Sequence, residues 1–230
     1  DFMHPDRIVI GVESKKAKDM LTDLYKHLNT PIVITDIKSA ELIKHASNSY
    51  LATKISFINA ISRICEKVGA DVVEVARGMG LDKRIGQGFL NAGIGYGGSC
   101  FPKDLDAFIN ISGKLGYDFQ LLKAVKETNQ QQKAFLLSKI KDTLWILKDK
   151  TIGVLGLSFK PNTDDIRNAP SIDIIKSLQA EGSKIRAYDP SAMQKAKEIL
   201  SGVKFCCDAY DTCKACDCLV VLTDWDEFKE

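Results

Sequence analysis

The sequence predicts an α/β protein in which a central all-helical domain with a long dimerisation helix precedes a Rossmann-like, parallel-sheet domain. Three observations support this prediction. The stretch from Ser39 to Gly69 contains no glycine or proline before its last residue. Within it, apolar residues recur every three or four positions, as on one face of a helix. Strand-like and helix-like segments alternate before this stretch, and they alternate again after residue 149.

The first elements are predicted to form a β-α-β unit. Residues 7–13 (RIVIGVE) and 31–36 (PIVITD) have the β-branched composition of strands, and residues 15–28 between them have an amphipathic helical pattern. The chain starts without an initiator methionine and stops just after a strand that is predicted to be buried. We therefore expect a fragment cut at both ends, with residues 1–37 as the tail of a truncated α/β domain.

The middle of the chain is predicted to be helical. One helix covers about 40–68 with Ser39 as its N-cap, and a shorter one covers 71–79. A glycine-rich loop follows, in which the backbone can approach a bound molecule closely. Its six glycines are Gly86, Gly88, Gly93, Gly95, Gly97 and Gly98. Two more helices are expected, one from residues 97–104 (GGSCFPKD) toward residue 113 and one over about 118–148, which is long enough to bridge two domains.

A second α/β pattern starts at residue 150. The strand 150–157 (KTIGVLGL) is followed by the loop SFKPNTDDIRNAP and by a helix over about 171–181. The strand KIRAYDP, another helix and the strand DCLVVLT complete the pattern. Such alternation predicts a parallel sheet. The predicted domains are therefore residues 1–37, 38–148 and 149–230.

Composition excludes some classes of partner. The formal net charge is only +2, and no block of like charges suggests a nucleic-acid or membrane surface. No apolar run reaches the length of a membrane span. Seven cysteines, an odd number, without a secretory pattern favour reduced thiols and a cytoplasmic location.

Five of the seven cysteines lie within residues 206–218. A metal site is one interpretation, but the spacing matches no paired C-x-x-C arrangement and no histidine lies nearby. The alternative is that these cysteines are small, buried apolar residues in a helix and a strand. We predict no metal.

Cys100 has the surroundings of a reactive thiol. A cysteine reacts as its thiolate. Glycines turn the backbone before Cys100, and Pro102 suits the first turn of a helix. The N-terminus of that helix, with Lys103 beside it, favours an anion. The alternative is a small residue at the start of a packed helix.

Residues 84–104 (RIGQGFLNAGIGYGGSCFPKD) identify a family. Together with Glu41-x-x-Lys44-x-x-x-Asn48 before them and GLSFKPNTDDIRNAPS after them, they closely resemble the UDP-glucose/GDP-mannose dehydrogenase family. The resemblance rests on three motifs in the same order and covers almost the whole chain. It implies oxidation of C6 of a nucleotide sugar from alcohol to carboxylate with two NAD⁺, through a cysteine thiohemiacetal and thioester. The expected substrate is UDP-glucose and the expected product UDP-glucuronate.

The resemblance also implies roles for individual residues. Cys100 is the expected nucleophile, Lys44 and Asn48 hold substrate and stabilise oxyanions, and Asp104 orients water or shuttles a proton. Lys103 and Arg167 are expected to contact NAD phosphates. The expected substrate-binding residues include Arg84, which is offered to a neighbouring subunit of a homodimer or higher oligomer. They are Arg84, Phe89, Leu90, Asn91, Gly93, Gly95, Tyr96, Gly97, Phe159 and Lys160.

Alternatives remain open for several of these residues. Lys44 has Glu41 as a possible ion-pair partner, Lys160 has the composition of a surface-loop charge, and Arg167 lies close to two aspartates. Asp189 ends a strand as a ribose-binding acid does. However, Gly153 and Gly156 do not complete a G-x-G-x-x-G motif, so no NAD site is predicted there. In the family, this last domain binds the uridine nucleotide.

Three classes of function therefore compete. The first is a nucleotide-sugar dehydrogenase acting on UDP-glucose, GDP-mannose or a UDP-N-acetylhexosamine. The second is a non-catalytic dimerisation and nucleotide-binding module, and the third is a metal or redox sensor built on the cysteine cluster. The resemblance implies that residues 1–37 are the tail of the family's N-terminal NAD-binding domain. Most of that domain, an upstream glutamate and a C-terminal arginine are expected to lie outside this chain.

Overall fold

A computed structural model describes residues 3–229 of the chain. The chain divides into two compact units, Asp1–Tyr50 and Leu51–Glu230. The division falls inside one long helix, α2 (Ile37–Val68). The three domain bounds predicted from the sequence remain a prediction.

The first unit contains the predicted β-α-β arrangement. It consists of β1 (Ile8–Gly11), α1 (Lys15–Tyr25), a 3₁₀ turn (Lys26–Leu28), β2 (Ile32–Thr35) and the first part of α2. The two strands are parallel, and Ile8 pairs with Ile32. Parallel pairing requires a crossover connection, which α1 supplies.

The beginning of α2 differs from the prediction. Asp36, not Ser39, caps the helix, because the Oδ1 atom of Asp36 accepts a hydrogen bond of 2.9 Å from the N–H of Ser39. Hydrogen bonds from the side chain and from the backbone N–H of Ser39 lower the pKa of Asp36. The helix ends as predicted at Val68. The next residue, Gly69, has a φ of 72°, which suits glycine, and the Ala70 N–H donates to the carbonyl of Cys65.

The second unit continues with three more helices and a sheet. After α2 come α3 (Val72–Gly80), the glycine-rich loop over residues 81–100, α4 (Phe101–Lys114) and α5 (Gln120–Leu144). Ala52, Leu105, Leu122 and Val125 form a buried apolar cluster between these helices. The observed α5 is shorter than the predicted helix, because Trp145 has a φ of 61° and ends it.

The C-terminal part of this unit has a parallel sheet, as predicted, but the sheet has four strands and not the three that the sequence indicated. Its elements are β3 (Thr151–Leu155), α6 (Pro170–Ala180), β4 (Lys184–Tyr188), α7 (Met193–Ile199), β5 (Val203–Phe205), α8 (Ala209–Cys213), β6 (Cys218–Val221) and a 3₁₀ turn (Asp226–Lys229). The strand order is β5-β4-β3-β6. The sequence did not predict β5, which has only three residues. It indicated a helix within residues 206–218 without bounds, and the structure has the five-residue helix α8 there.

The sheet and α6 enclose the main apolar core. Ile152 and Val154 on β3 pack with Ile174, Ile175 and Leu178 on α6, and all five are completely buried. Burying each such side chain contributes about 1.5–3 kcal/mol. This core fixes the loop that leaves the carboxyl end of β3. Among the helices of residues 3–229, none combines the length and the apolar content that crossing a membrane requires.

Candidate active site

Two loops of the second unit meet at the N-terminus of α4. The Gly98 N–H donates to the Arg167 carbonyl at 2.8 Å, and the Asn168 Nδ2 atom donates to the Gly98 carbonyl at 3.1 Å. A Cβ atom on Gly97 would lie 2.4 Å from the Asn168 carbonyl oxygen. Gly98 has a φ of 80°, and a Cβ atom there would lie 2.9 Å from the Phe159 ring. Only glycine therefore allows the loops to dock this closely.

Cys100 is presented by this docked loop. It is solvent-exposed and directly precedes the first residue of α4, so its predicted position at a helix N-terminus is confirmed. The Cys100 carbonyl accepts a hydrogen bond of 2.8 Å from the Asp104 N–H, which closes the first turn. The Ser99 hydroxyl lies 3.7 Å from the sulfur atom. The thiol is thus accessible at the positive end of a 14-residue helix.

Two cations lie in the segments that meet at Cys100. Lys103 is exposed, and its Nζ atom lies 3.7 Å from Oδ1 of the buried Asp104. Arg167 is also exposed, and two of its nitrogens contact the two Asp165 oxygens at 2.9 and 2.7 Å. The pKa of Arg167 is raised, mainly by Asp165 and to a smaller extent by the charge of Cys100. Arg167 therefore does pair with Asp165.

Phe159 and Lys160 come from the loop after β3. The Phe159 N–H donates to the Asp165 carbonyl at 3.0 Å, which folds this loop onto itself. The Phe159 ring is half-buried against Gly98, whereas Lys160 is exposed and its Nζ atom lies 5.7 Å from the centre of that ring. The structure brings Phe159 to the segment that carries Cys100 and leaves Lys160 at the surface.

Residues 89–97, the predicted substrate-binding loop, pack on an aromatic side chain at the start of α4. Phe101 contacts Tyr96 and Phe89 edge to face, with ring centres 5.9 and 6.2 Å apart. Tyr96 is buried, and desolvation followed by the charge of Asp106 raises its pKa to about 12. Leu90 is buried too, while Phe89, with a φ of 65°, remains exposed. Asn91 and Gly93 are exposed and Gly95 is partly buried.

Three residues that contact this loop were missed by the sequence analysis. The side-chain amides of Asn59, Asn129 and Gln132 bond to its backbone. Asn129 and Gln132 are three positions apart and therefore share a face of α5. A pair of amides with this spacing on an otherwise apolar face was the signal that could have identified them.

Arg84 lies on an exposed turn before residues 89–97, the loop that is predicted to bind substrate. Its Nε and Nη2 atoms contact the Asp82 carboxylate at 3.0 and 2.6 Å. This contact lowers the pKa of Asp82 and raises that of Arg84. Lys54 on α2 donates to the carbonyls of Ile85 and Gly86 at 3.0 and 3.2 Å. The turn is thereby fixed while the Arg84 side chain remains 90% exposed.

Lys44 and Asn48 belong to the first unit. They share a face of α2, as their spacing predicted, and Lys44 Nζ donates to Asn48 Oδ1 at 3.4 Å. Asn48 is buried and Lys44 is exposed. The amide of Asn48 thus holds the end of the lysine side chain.

Asp189 has a structural role at the end of β4. Its carboxylate is buried, and Oδ2 accepts hydrogen bonds from the N–H groups of Leu157 and Ser158 and from the Trp225 indole at 2.7, 3.1 and 3.2 Å. Oδ1 accepts from two further N–H groups, those of residues 191 and 192. Both oxygens are therefore engaged inside the protein. Asp189 anchors the start of the loop after β3 and is not placed like a ribose-binding acid.

The cysteine cluster is less buried than predicted. Cys206 is buried and Cys216 and Cys218 are partly buried, but Cys207 and Cys213 are exposed. The expectation that all five are buried is therefore wrong for these two, because Cys207 follows β5 in a loop and Cys213 ends the short surface helix α8. Within residues 3–229, no group of three or more His, Cys, Asp or Glu side chains is arranged to hold a metal ion.

Comparisons with known proteins agree with the sequence motifs. Residues 38–131 match the central domain of the UDP-glucose/GDP-mannose dehydrogenase family, and residues 153–230 match the UDP binding domain of the same family. UDP-glucose 6-dehydrogenase YwqF of Bacillus subtilis is 53% identical over the whole chain. The chain spans 52% of that relative, that is, about half its length.

Solved structures give the same result for the fold. A UDP-glucose dehydrogenase from the hyperthermophilic archaeon Pyrobaculum islandicum superposes with a TM-score of 0.97 at 38% identity, over 100% of this chain and 53% of that one. A UDP-D-ManNAc dehydrogenase from Pyrococcus horikoshii gives a TM-score of 0.85 at 25% identity, over 99% and 52%. The predicted fold class is thus confirmed, and with both family domains matched in order, the chain belongs to the UDP-glucose/GDP-mannose dehydrogenase family.

Proposed function

We propose that the full-length protein is an NAD-dependent UDP-glucose 6-dehydrogenase that converts UDP-glucose into UDP-glucuronate, with Cys100 as its nucleophile. The observation that carries this proposal is the position of Cys100. It is an exposed thiol at a helix N-terminus, fixed between a glycine-rich loop and the loop that follows a Rossmann-like strand. The 53% identity to a UDP-glucose 6-dehydrogenase supports the choice of substrate.

The chemistry explains the need for a thiol. Oxidation of the C6 alcohol gives an aldehyde, which has no suitable hydride to lose until a nucleophile adds to its carbonyl. The Cys100 thiolate forms a C–S bond to C6, and the carbonyl oxygen takes up a proton, giving a thiohemiacetal. Loss of that proton and of a hydride leaves a thioester. Water then attacks the thioester carbon, the C–S bond breaks, and the carboxylate and the free thiol are released.

Lys103 and Arg167 are the residues of this chain that fit a phosphate-bearing cofactor. Both are exposed cations in the segments that meet at Cys100, and Arg167 already holds one carboxylate in the bidentate manner that suits phosphate. When bound, NAD⁺ supplies the hydride acceptor for both oxidations. The role we assign to the two side chains is to hold its phosphates by charge.

The remaining residues are assigned roles at the sugar nucleotide. Asp104, buried in the first turn of α4, orients water or moves a proton. Lys44 and Asn48 stabilise negative charge on oxygen at C6. The loop from Phe89 to Gly97 binds sugar and phosphates through its backbone. The side chains of Phe159 and Lys160 extend the same surface.

Other nucleotide sugars are the alternative substrates, because a UDP-D-ManNAc dehydrogenase shares the fold. Its 25% identity, against 53% for the UDP-glucose 6-dehydrogenase, favours UDP-glucose. The test is steady-state kinetics of the full-length protein with NAD⁺ and a panel of UDP-glucose, UDP-N-acetylmannosamine and GDP-mannose. We expect UDP-glucose to have the highest kcat/KM and to yield two NADH per sugar. Turnover of none of them would favour a non-catalytic dimerisation and nucleotide-binding module.

We further propose a homodimer or higher homo-oligomer with α2 in the interface. Tyr50, Phe57, Ile64 and Val68 are exposed along this one helix at spacings of seven, seven and four residues, which places them in a stripe. An exposed stripe of this kind is typical of an interaction surface. The exposed Arg84 is the side chain that such a partner would receive. Sedimentation of the full-length protein as a monomer at micromolar concentration would contradict this proposal.

A further inference from the structure

Three side-chain amides hold the backbone of the glycine-rich loop from two helices. On α5, Asn129 Oδ1 accepts from the Tyr96 N–H at 2.8 Å, and Asn129 Nδ2 donates to the Tyr96 carbonyl at 3.1 Å. One turn later, Gln132 Nε2 donates to the Gly93 carbonyl at 2.8 Å. On α2, Asn59 Oδ1 accepts from the Gly93 N–H at 2.8 Å. Both backbone groups of two loop residues are thereby bound.

The loop and Asn129 fit each other closely. Gly95 has a φ of 110°, a conformation that side chains rarely adopt. A Cβ atom on Gly95 would also lie 2.7 Å from Asn129 Oδ1. Glycine at this position thus permits both the turn of the loop and the approach of the amide.

The stability of the fold does not by itself explain why amide side chains occupy these buried positions. Asn59 is completely buried, and among the described residues its Nδ2 atom has no hydrogen-bond partner. A buried unpaired donor lowers the stability of a fold. Gln132 is buried as well, and Arg63 Nε donates to its Oε1 atom at 2.9 Å, which fixes the orientation of that amide. Such polar groups in a helix-packed interior are expected where a particular backbone conformation is needed.

The segment that carries Cys100 is held by hydrogen bonds other than those of the three amides. Gly98, two residues before Cys100, is bound through its N–H to the Arg167 carbonyl and through its carbonyl to the Asn168 side chain. Residues 93–96 and the thiol are therefore held by different groups. Loosening the first attachment leaves the second in place.

We propose that Asn129 is a positioning residue for the nucleotide sugar, acting through the backbone of residues 93–96. This inference rests on the proposed function, in which that backbone contacts the sugar and its phosphates. The Asn129 amide keeps those backbone groups in the conformation that binds substrate before the substrate arrives. Its loss weakens substrate binding more than it slows the chemical steps, because Gly98 still holds Cys100.

The test compares Asn129→Ala and Asn129→Asp with Gln130→Ala and Gln130→Glu in the full-length protein. Asn129→Asp keeps the acceptor for the Tyr96 N–H and removes the donor to the Tyr96 carbonyl. Gln130 is the neighbouring amide on α5 and is exposed. For both Asn129 variants we expect the KM for UDP-glucose to rise about tenfold and kcat to change less than threefold. Both Gln130 variants should match the wild type.

Amide hydrogen exchange of residues 90–98 provides a readout that does not depend on turnover. We expect faster exchange there in the Asn129 variants and not in the Gln130 variants, with unchanged exchange in the strands β3 and β4. An unchanged KM with unchanged loop exchange would overturn the inference. The inference would also be overturned if kcat fell by as large a factor as KM rose and the Tm was lower, because Asn129 would then only support the fold. If the wild type shows no turnover, the proposed function is contradicted and the KM comparison is lost. The inference about Asn129 is then decided by comparing wild type and variants in two measurements, hydrogen exchange of the loop and the calorimetric Kd for UDP-glucose.

Discussion

Cys100 and the five cysteines between residues 206 and 218 are all free thiols, but they occupy opposite chemical environments. Cys100 is exposed at the N-terminus of a 14-residue helix, and the preceding Gly98 is bound to the segment that carries Arg167. Cys213, in contrast, is the last residue of α8. The carbonyl end of a helix disfavours an anion, whereas the N–H end favours one.

In the cysteine cluster, a neighbouring carboxylate or burial raises the pKa of three thiols, those of Cys207, Cys216 and Cys218. The Cys207 thiol donates to Asp208 Oδ2 at 3.4 Å, and this hydrogen bond is the main reason that its pKa is raised. Desolvation is the main cause of the raised pKa of Cys216 and the only one for Cys218. A thiol with a raised pKa has less thiolate at neutral pH. A segment with many cysteines is therefore not where the most reactive thiol must lie.

The largest expected effect is that of Cys100→Ser on acid production by the full-length protein. A serine hydroxyl is a poor nucleophile without a paired base. The first oxidation needs no covalent bond to the protein, so NADH release should stop near one equivalent while UDP-glucose still binds. Uronic acid production should fall by a factor of about 10³ or more, or about 4 kcal/mol in the barrier. Product analysis alongside NADH counting measures this.

The matched control is Cys207→Ser, which removes an exposed thiol of the cluster. Sustained acid production by Cys100→Ser within about tenfold of the wild type, or about 1.4 kcal/mol, would show that Cys100 is not the nucleophile.

The next largest effect is expected on the order in which the thiols are modified. With brief, substoichiometric iodoacetamide at pH 7, Cys100 should react before Cys207, because Cys100 lies at the N–H end of a helix whereas the hydrogen bond to Asp208 raises the pKa of Cys207. Peptide mass spectrometry gives the order. Cys207 and Cys213 are the informative competitors because they too are exposed. First labelling at either of them would contradict the contrast drawn between the two regions.

A smaller effect is expected when the carboxylate beside Cys207 is neutralised. Asp208→Asn keeps an oxygen that can cap α8, but it removes the carboxylate whose hydrogen bond is the main cause, and whose charge is a smaller cause, of the raised pKa of Cys207. A lower pKa gives more thiolate at a fixed pH, so labelling of Cys207 at pH 8 should increase about threefold. Its pH profile should shift toward lower pH.

Cys218 serves as the internal reference in the same sample, because burial alone raises its pKa. An unchanged Cys207 profile would mean that Asp208 does not control this thiol.

The smallest effect should follow from replacing the exposed cluster thiols. The double variant Cys207→Ser and Cys213→Ser should keep kcat/KM within about twofold and the Tm within a few degrees, as is usual for exposed positions. A several-fold loss of activity would give the cluster a role that neither its burial nor its charges indicate.

Local patterns determined much of this protein. The β-branched runs, the glycine-free stretch of α2 and the alternation after residue 149 were sufficient to predict the parallel strands and the long helix, because each pattern depends on near neighbours. The motif around Cys100 fixed its position at the start of α4 for the same reason. The short elements β5 and α8 span too few residues to show a period, and the cap of α2 was misassigned by three residues.

Only the tertiary structure shows which residues from distant parts of the chain contact each other. The sequence places Asp189 at a strand end, but only packing brings Leu157, Ser158 and Trp225 around it and turns it into a buried anchor. The contacts of Asn129 with Tyr96 join residues 33 positions apart, so no local period encodes them. A one-dimensional pattern reports which face of an element is apolar. Which distant backbone groups a buried polar side chain must satisfy is settled only when the chain has closed around it.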